Sequence, residues 1–326
     1  MPNINRRTLI QSASACAMLG ISNLAWAKYP DKPVKIIVPW APGGSTDAIA
    51  RALGQALSDK TGQSFIVDNK PGAAAQIGTD ALAKSAPDGY TLGIVELPHA
   101  IAPAVVAKIP YDLLRDFSPI TLIGTSPMIL FTGMGPDTAN VKSFVASAGK
   151  GVPPAIAHSG SGTVSHLVGE MFAEQTKIKF NQVPYRGSAP ALIDVAAGTV
   201  AAHFATLASG AALLAAGKIR ALAVAGERKL DTPALRNVPT FAELGYKNFI
   251  VNQWWALVAP ATTPIETLEY LRTESIGSMN NPKVNERMLT LGVDLKGSTR
   301  DELRGFMRSE ADRWQSVAKK IGLQAQ

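Results

Sequence analysis

Apolar residues along this chain fall into short β-branched runs separated by stretches of helical period. Val34, Ile36, Ile37 and Val38 form the first run, and others lie at 65–68, 92–95, 120–123, 128–132, 155–158, 180–183, 200–204 and 221–225. Between them, 47–57 puts Ile49, Ala50, Leu53 and Leu57 on one helical face, and 164–172 does the same with Val164, Leu167, Val168, Met171 and Phe172. This alternation predicts an α/β protein with parallel sheets covered by helices on both faces. After Pro264 the pattern turns helical over 265–279, 282–291 and 299–321. With 326 residues the chain exceeds one ordinary domain, so two lobes are expected. The stretches 121–132 and 249–259 read as strands crossing between them. That division makes 28–125 and 250–326 lobe 1 and 126–249 lobe 2, with a hinge and a ligand cleft between.

The first 27 residues read as an export signal instead of structure. Arg6-Arg7 precedes an apolar, small-residue stretch from Thr8 to Leu24, and Ala25-Trp26-Ala27 is a small-x-small cleavage site. Arg6-Arg7 also suits twin-arginine export, which the sequence does not separate from the general route. Cleavage removes Cys16, the single cysteine, and with it disulfides, thiolate metal sites and cysteine nucleophiles. The formal charge of +7 falls slightly when both arginines leave. The remaining cations are scattered without interleaved aromatics, so no nucleic-acid partner is implied. The longest uncharged stretch beyond the signal, 195–217, is rich in Ala, Gly, Ser and Thr and includes His203, which suits a packed β/α segment and not a membrane span.

Two loops carry the chemistry. Pro39-Trp40-Ala41-Pro42-Gly43-Gly44-Ser45-Thr46-Asp47 joins the first strand to the first helix, supported by Gly72-Ala73-Ala74-Ala75-Gln76. His158-Ser159-Gly160-Ser161-Gly162-Thr163 repeats the device further on. Small residues at the start of a helix expose backbone N–H groups and a partial positive charge, which together make an anion cradle. Neither loop contains lysine or arginine, so an anion there is held by dipoles and hydroxyls. The same residues are also ordinary helix caps, and Asp47 with Arg51 an ordinary i,i+4 pair. Arg186, in Val183-Pro184-Tyr185-Arg186-Gly187-Ser188, is the one cation close to the cradles; it either contacts a second anionic group or pairs with a surface acid. Trp40, inside its loop, is the more exposed aromatic candidate, whereas Trp254 and Trp255 suit core or hinge packing.

Other chemistries fit poorly. Gly160-Ser161-Gly162 begins a dinucleotide pattern, but its sixth position is Ser165, and no G-x-x-x-x-G-K-[ST] occurs. No G-x-S-x-G elbow is present, so an esterase triad of Ser161, His99 and Asp194 rests on composition alone. Neither H-E-x-x-H nor a calcium-loop pattern appears, and His166 four residues before Glu170 reads as a helix-surface or cleft pair. No catalytic residue, metal or cofactor is expected.

Several motifs in order resemble those of the Bug, or TctC-like, periplasmic solute receptors of tripartite tricarboxylate transporters. They are Tyr29-Pro30-Asp31-Lys32-Pro33, residues 39–51, Asn69-Lys70-Pro71-Gly72-Ala73, Pro87-Asp88-Gly89-Tyr90-Thr91-Leu92, Asp116-Phe117-Ser118-Pro119, residues 159–170, residues 183–194, and Val238-Pro239-Thr240-Phe241-Ala242-Glu243. The resemblance covers everything after the signal. It implies a two-lobed type II periplasmic-binding-protein fold closing over a small organic carboxylate held by backbone amides, hydroxyls and ordered waters. It places Pro42, Gly43, Gly44, Ser45, Ala73, Ser161 and Thr163 at the carboxylate, with Asp47 organising its loop. Trp40, Gln76, His99, Arg186 and Thr206 then choose the rest of the ligand. Many relatives read Gly-Ala-Gly-Gly where this chain has Gly72-Ala73-Ala74-Ala75, and the added methyl groups narrow the backbone approach there. The implied protein is a monomer that delivers its ligand to membrane transporter subunits. Two other readings are an exported Ser-dependent esterase and a ligand-presenting partner of a membrane sensor.

Overall fold

The computed structural model describes residues 29–320. The expected export signal over 1–27, its cleavage site, Cys16 and the last residue of the expected helix 299–321 lie outside them. The chain divides into two compact units, Met1–Asp31, of which 29–31 are described, and Lys32–Gln326, which holds every strand and helix given below.

Strand β1 (Val34–Val38) lies between β2 (Phe65–Asn69) and β3 (Thr91–Glu96), parallel to both. On the other side of β3 runs β9 (Asn252–Pro260), antiparallel, followed by β4 (Phe117–Gly133). The far half of β4 leaves this sheet and pairs antiparallel with β7 (Ala202–Ala205) and β8 (Ile219–Ala225). β5 (Ala155–His158) then sits between β7 and β6 (Asn181–Pro184), parallel to each. Two lobes, each built on one sheet, therefore share β4.

The sequence pattern reads β4 as two runs, 120–123 and 128–132; the structure makes them one strand of 17 residues. Gly124 explains the apparent break. The short β10 (Asp294–Leu295) crosses so closely that a Cβ on Gly124 would meet the Asp294 carbonyl oxygen at 2.7 Å. The gap in hydrophobicity is a close backbone approach and not a turn. The expected parallel sheets are accordingly mixed, because the strands passing between lobes run antiparallel to their neighbours.

Five helices begin where parallel strands end. They are α1 (Ser45–Thr61) after β1, α3 (Leu97–Val105) after β3, α5 (Val164–Thr176) after β5, α6 (Ser188–Ala197) after β6 and α7 (Leu207–Ala215) after β7. Between the first and second of these is α2 (Gln76–Ala83), and α4 (Val141–Ala148) precedes β5. Three more follow the last crossover: α8 (Ile265–Met279), α9 (Pro282–Thr290) and α10 (Arg300–Lys320). The apolar face read from the sequence of α1 is the one it buries, with Ile49, Ala50, Leu53 and Leu57 all at 0% exposure. Phe172, Phe204, Phe241 and Phe249 pack ring against ring under the second sheet. Trp254 and Trp255 are buried in β9, and the Trp254 Nε1 donates to Glu310 Oε2 at 3.0 Å. Packing of this kind fixes both sheets and leaves the five helix starts to meet across the cleft.

Candidate functional site

One cavity between the lobes is walled almost entirely by strand ends and helix starts. Gly44, Ser45 and Thr46 open α1, Ser165 lies in the first turn of α5, Gly187 and Ser188 begin α6, and Thr206 is the N-cap of α7. Trp40, Glu96, Pro98, Met128, Ser159 and Gln253 complete most of the wall around about 480 Å3 of atom-free space, part of it open to solvent. Helix starts present N–H groups and the positive end of a dipole, so the wall favours an anion even though some of these amides, that of Ser45 among them, already have protein partners. No lysine, arginine or histidine is among its lining residues.

Sequence reasoning missed the centre of this wall. Glu96 is 1% exposed and accepts hydrogen bonds from Trp40 Nε1, from Thr46 Oγ1 at 2.8 Å and from Gln253 Nε2 at 2.5 Å. Trp255 Nε1 donates to Thr46 Oγ1 at 3.1 Å, so both crossover and loop residues hang on one carboxyl group. Burial pushes that carboxyl up to about 8, against the hydrogen bonds that converge on it. The missed signal was an acid ending an apolar strand, Gly93-Ile94-Val95-Glu96, a position where a charge survives only with partners. Trp40 is correspondingly not exposed; its indole is buried against Glu96 and presents one side to the cavity.

Two polar atoms in the wall have no hydrogen-bond partner among the described residues. They are Thr206 Oγ1 and Gln253 Oε1, on side chains 3% and 5% exposed. Buried groups of this kind cost roughly 1–3 kcal/mol each when unpaired, so a ligand that pairs with them relieves that cost.

The remaining expected site residues separate. Gly44, Ser45, Trp40 and Thr206 line the first cavity. Ala73, Gln76 and Ser161 line a second, wider one of about 1490 Å3, together with His158, His166, Glu170 and Gln182. Pro42 and Gly43 are exposed and line neither, and the Gly43 N–H donates to Asp47 Oδ2 at 2.9 Å. Asp47 also accepts from Asn69 Nδ2 at 3.0 Å and faces Arg51 at 2.9 Å. Burial pushes its carboxyl up, but the bonds from Arg51, Gly43 and Asn69 outweigh that and hold it below the ordinary range. Asp47 thus shapes the loop it begins. The Ser45 N–H donates to Ser209 Oγ of α7 at 3.0 Å, a bond that joins the lobes.

The second loop also spends its amides internally. The N–H groups of Gly160 and Gly162 donate to His158 Nδ1 and His166 Nδ1 at 3.3 and 3.2 Å. Thr163 is buried beneath, with Oγ1 donating to the Gly160 carbonyl at 2.7 Å, and Ser159 and Ser165 share a hydroxyl bond of 2.8 Å. His99 faces neither cavity. Its ring spans the Glu96 N–H at 3.0 Å and Thr79 Oγ1 at 2.8 Å, and burial lowers its pKa to about 4. Arg186 is exposed and lines neither cavity. The paper triad does not assemble: His99 is held by Thr79, Asp194 accepts from the Tyr185 hydroxyl at 2.6 Å, and Ser161 is exposed. Among the described residues no group of three His, Cys, Asp or Glu side chains is placed to hold a metal ion, and no helix is long and apolar enough to cross a membrane.

Known proteins place this geometry. The family described as the tripartite tricarboxylate transporter family receptor, TctC, matches residues 49–323. Protein BugT of Bordetella pertussis is 36% identical over 299 residues, covering 90% of each chain. The structure of the periplasmic binding protein BugD superposes with a TM-score of 0.87 at 30% identity, over 91% of this chain and 100% of that one. R. palustris Rpa4515, solved with adipate, superposes equally well at 31% identity, over 92% of this chain and 100% of its own. Strand order, a cleft ringed by helix starts and these likenesses along nearly the whole chain agree that it belongs to the TctC, or Bug, family of periplasmic solute-binding receptors.

Proposed function

We propose that this receptor captures a small organic carboxylate in the cavity bounded by Gly44, Ser45, Thr206 and Gln253 and delivers it to membrane subunits of a tripartite tricarboxylate-type transporter. The observation that carries the reading is the convergence of helix starts on a cavity without a cationic side chain, where Thr206 Oγ1 is buried and unpaired. Dipoles and a free hydroxyl suit one carboxylate, and the adipate with which Rpa4515 was solved carries such a group at each end. Lobe 1 is taken as 28–125 with 250–326 and lobe 2 as 126–249. Binding acts by closing one on the other, with the Ser45 to Ser209 bond as a latch. The signal directs export and is cleaved after Ala27, and the mature receptor acts as a monomer without catalysis.

A thermal-denaturation screen of mono-, di- and tricarboxylates tests this. A ligand at a hundredfold excess over its Kd adds about 2.7 kcal/mol of stability. Thr206→Val keeps the fold and weakens that ligand at least tenfold. A screen in which no acid raises the midpoint contradicts the proposal.

A further inference from the structure

The first cavity carries two chemically different features, and the difference selects among carboxylates. One is the ring of helix starts, with Thr206 Oγ1 unpaired at the N-cap of α7. The other is formed where Glu96 and Gln253 meet. Gln253 Nε2 donates to the Glu96 carboxyl, which fixes the amide's orientation and turns Oε1 away from Glu96. Oε1 is the atom left buried without a partner. Donating an N–H to a carboxyl group also makes the amide oxygen a stronger acceptor, because bonds in a chain polarise one another.

An acceptor of this kind needs a donor. A second carboxylate brings none: placed here it would face Gln253 Oε1 and an acidic side chain, with no cation among the lining residues to offset its lost hydration. In neither protonation state does Glu96 supply that cation. We propose that the ligand carries, besides its carboxylate, a hydrogen-bond donor, an amine, amide or hydroxyl accepted by Gln253 Oε1, and that Glu96 is the positioning residue that disfavours dicarboxylates. The inference rests on the carboxylate-receptor reading and narrows its substrate class.

Calorimetric titration of the full mature chain with matched acids tests it. Butyrate, succinate, 4-hydroxybutyrate and 4-aminobutyrate form one set; hexanoate, adipate, 6-hydroxyhexanoate and 6-aminohexanoate form another. At one length a donor-bearing acid binds at least tenfold tighter than both the plain acid and the diacid. In Gln253→Leu its advantage over the plain acid shrinks to within twofold. In Glu96→Gln the ratio of donor-bearing acid to diacid falls at least fivefold. These are ratios within one protein, so a loss of folded material does not imitate them, and the wild-type order stands without any variant. A diacid that binds as tightly as its donor-bearing counterpart overturns this inference while leaving the carboxylate reading intact. Binding by none of the eight acids overturns both.

Discussion

A smaller and a wider cavity between the lobes differ in what converges on them, and the smaller one collects the helix starts. The wider one, lined by Ala73, Gln76, Ser161 and the tilted rings of His158 and His166, spends its loop amides on itself, since both histidines accept from glycine amides of their own loop, and it too keeps buried, unmatched atoms, Gln182 Nε2 and Oε1. The smaller one keeps Thr206 Oγ1 and Gln253 Oε1 buried and unmatched, and its helix starts aim at the same space. Unmatched buried atoms occur in both, so what separates the two is the convergence of helix starts on the smaller one, and that convergence is why the proposed function puts the carboxylate there.

The largest expected effect comes from removing the acid that holds the smaller cavity together. Glu96→Leu strands Trp40 Nε1 and Gln253 Nε2 and lowers stability by about 3 kcal/mol in urea denaturation. An unchanged midpoint would mean the network is ornamental. Next is Asp47→Ala, which frees the Gly43 amide, Arg51 and Asn69 at once and costs about 2 kcal/mol, with weaker ligand binding as the loop loosens.

The cavities also respond to pH in opposite directions. The Glu96 carboxyl releases its proton near 4.5 when unfolded and near 8 when folded, so its contribution is full below 4.5 and is lost as pH rises towards 8. His158 takes up a proton near 6.5 unfolded and only near 4 folded, so its contribution is present above 6.5 and lost as pH falls. Burial is the first cause of both shifts, and the neighbouring His166 adds to the second. Melting midpoints across pH 4–9 should therefore fall on both sides of a maximum, and Glu96→Gln should flatten the alkaline limb and steepen the acid one, where the Glu96 and histidine contributions oppose each other. The smallest effect belongs to the wider cavity. Ala73, Ala74 and Ala75 all sit at positive φ, 47°, 50° and 80°, where an L side chain crowds its own backbone. Ala74→Gly should raise stability by about 0.5–1 kcal/mol by thermal denaturation, net of the glycine's greater unfolded freedom.

Much of this was legible before the fold. Hydrophobic period located β1, β5, α1 and α5, and the glycine-rich strand-to-helix loops marked where the helix starts converge. What the sequence could not carry was which amide each loop had left to offer. Gly43 lost its amide to Asp47, a residue four positions on, while Ser45 lost its own to Ser209, brought near only by tertiary packing. Glu96 and Gln253 stand 157 residues apart and acquire meaning only when β3 and β9 pair. His99 went the other way: a histidine with a functional look is consumed by Thr79 and the cap of α3. Local signals announce helix starts, and long-range hydrogen bonding decides which of them remain open.

The most direct test compares one blocked cavity with the other left intact. Gly44 has φ −79° and ψ 175°, which alanine adopts freely, and a Cβ there would meet nothing nearer than the Ala41 carbonyl oxygen at 3.8 Å. Gly44→Ala therefore puts a methyl group into the smaller cavity with little cost to the fold, and Gln76→Ala trims the wall of the wider one. Calorimetric titration of both variants uses the carboxylate that best stabilises the wild type. It should show affinity reduced at least tenfold in Gly44→Ala and changed less than twofold in Gln76→Ala. The reverse order would place the ligand in the wider cavity and contradict the account.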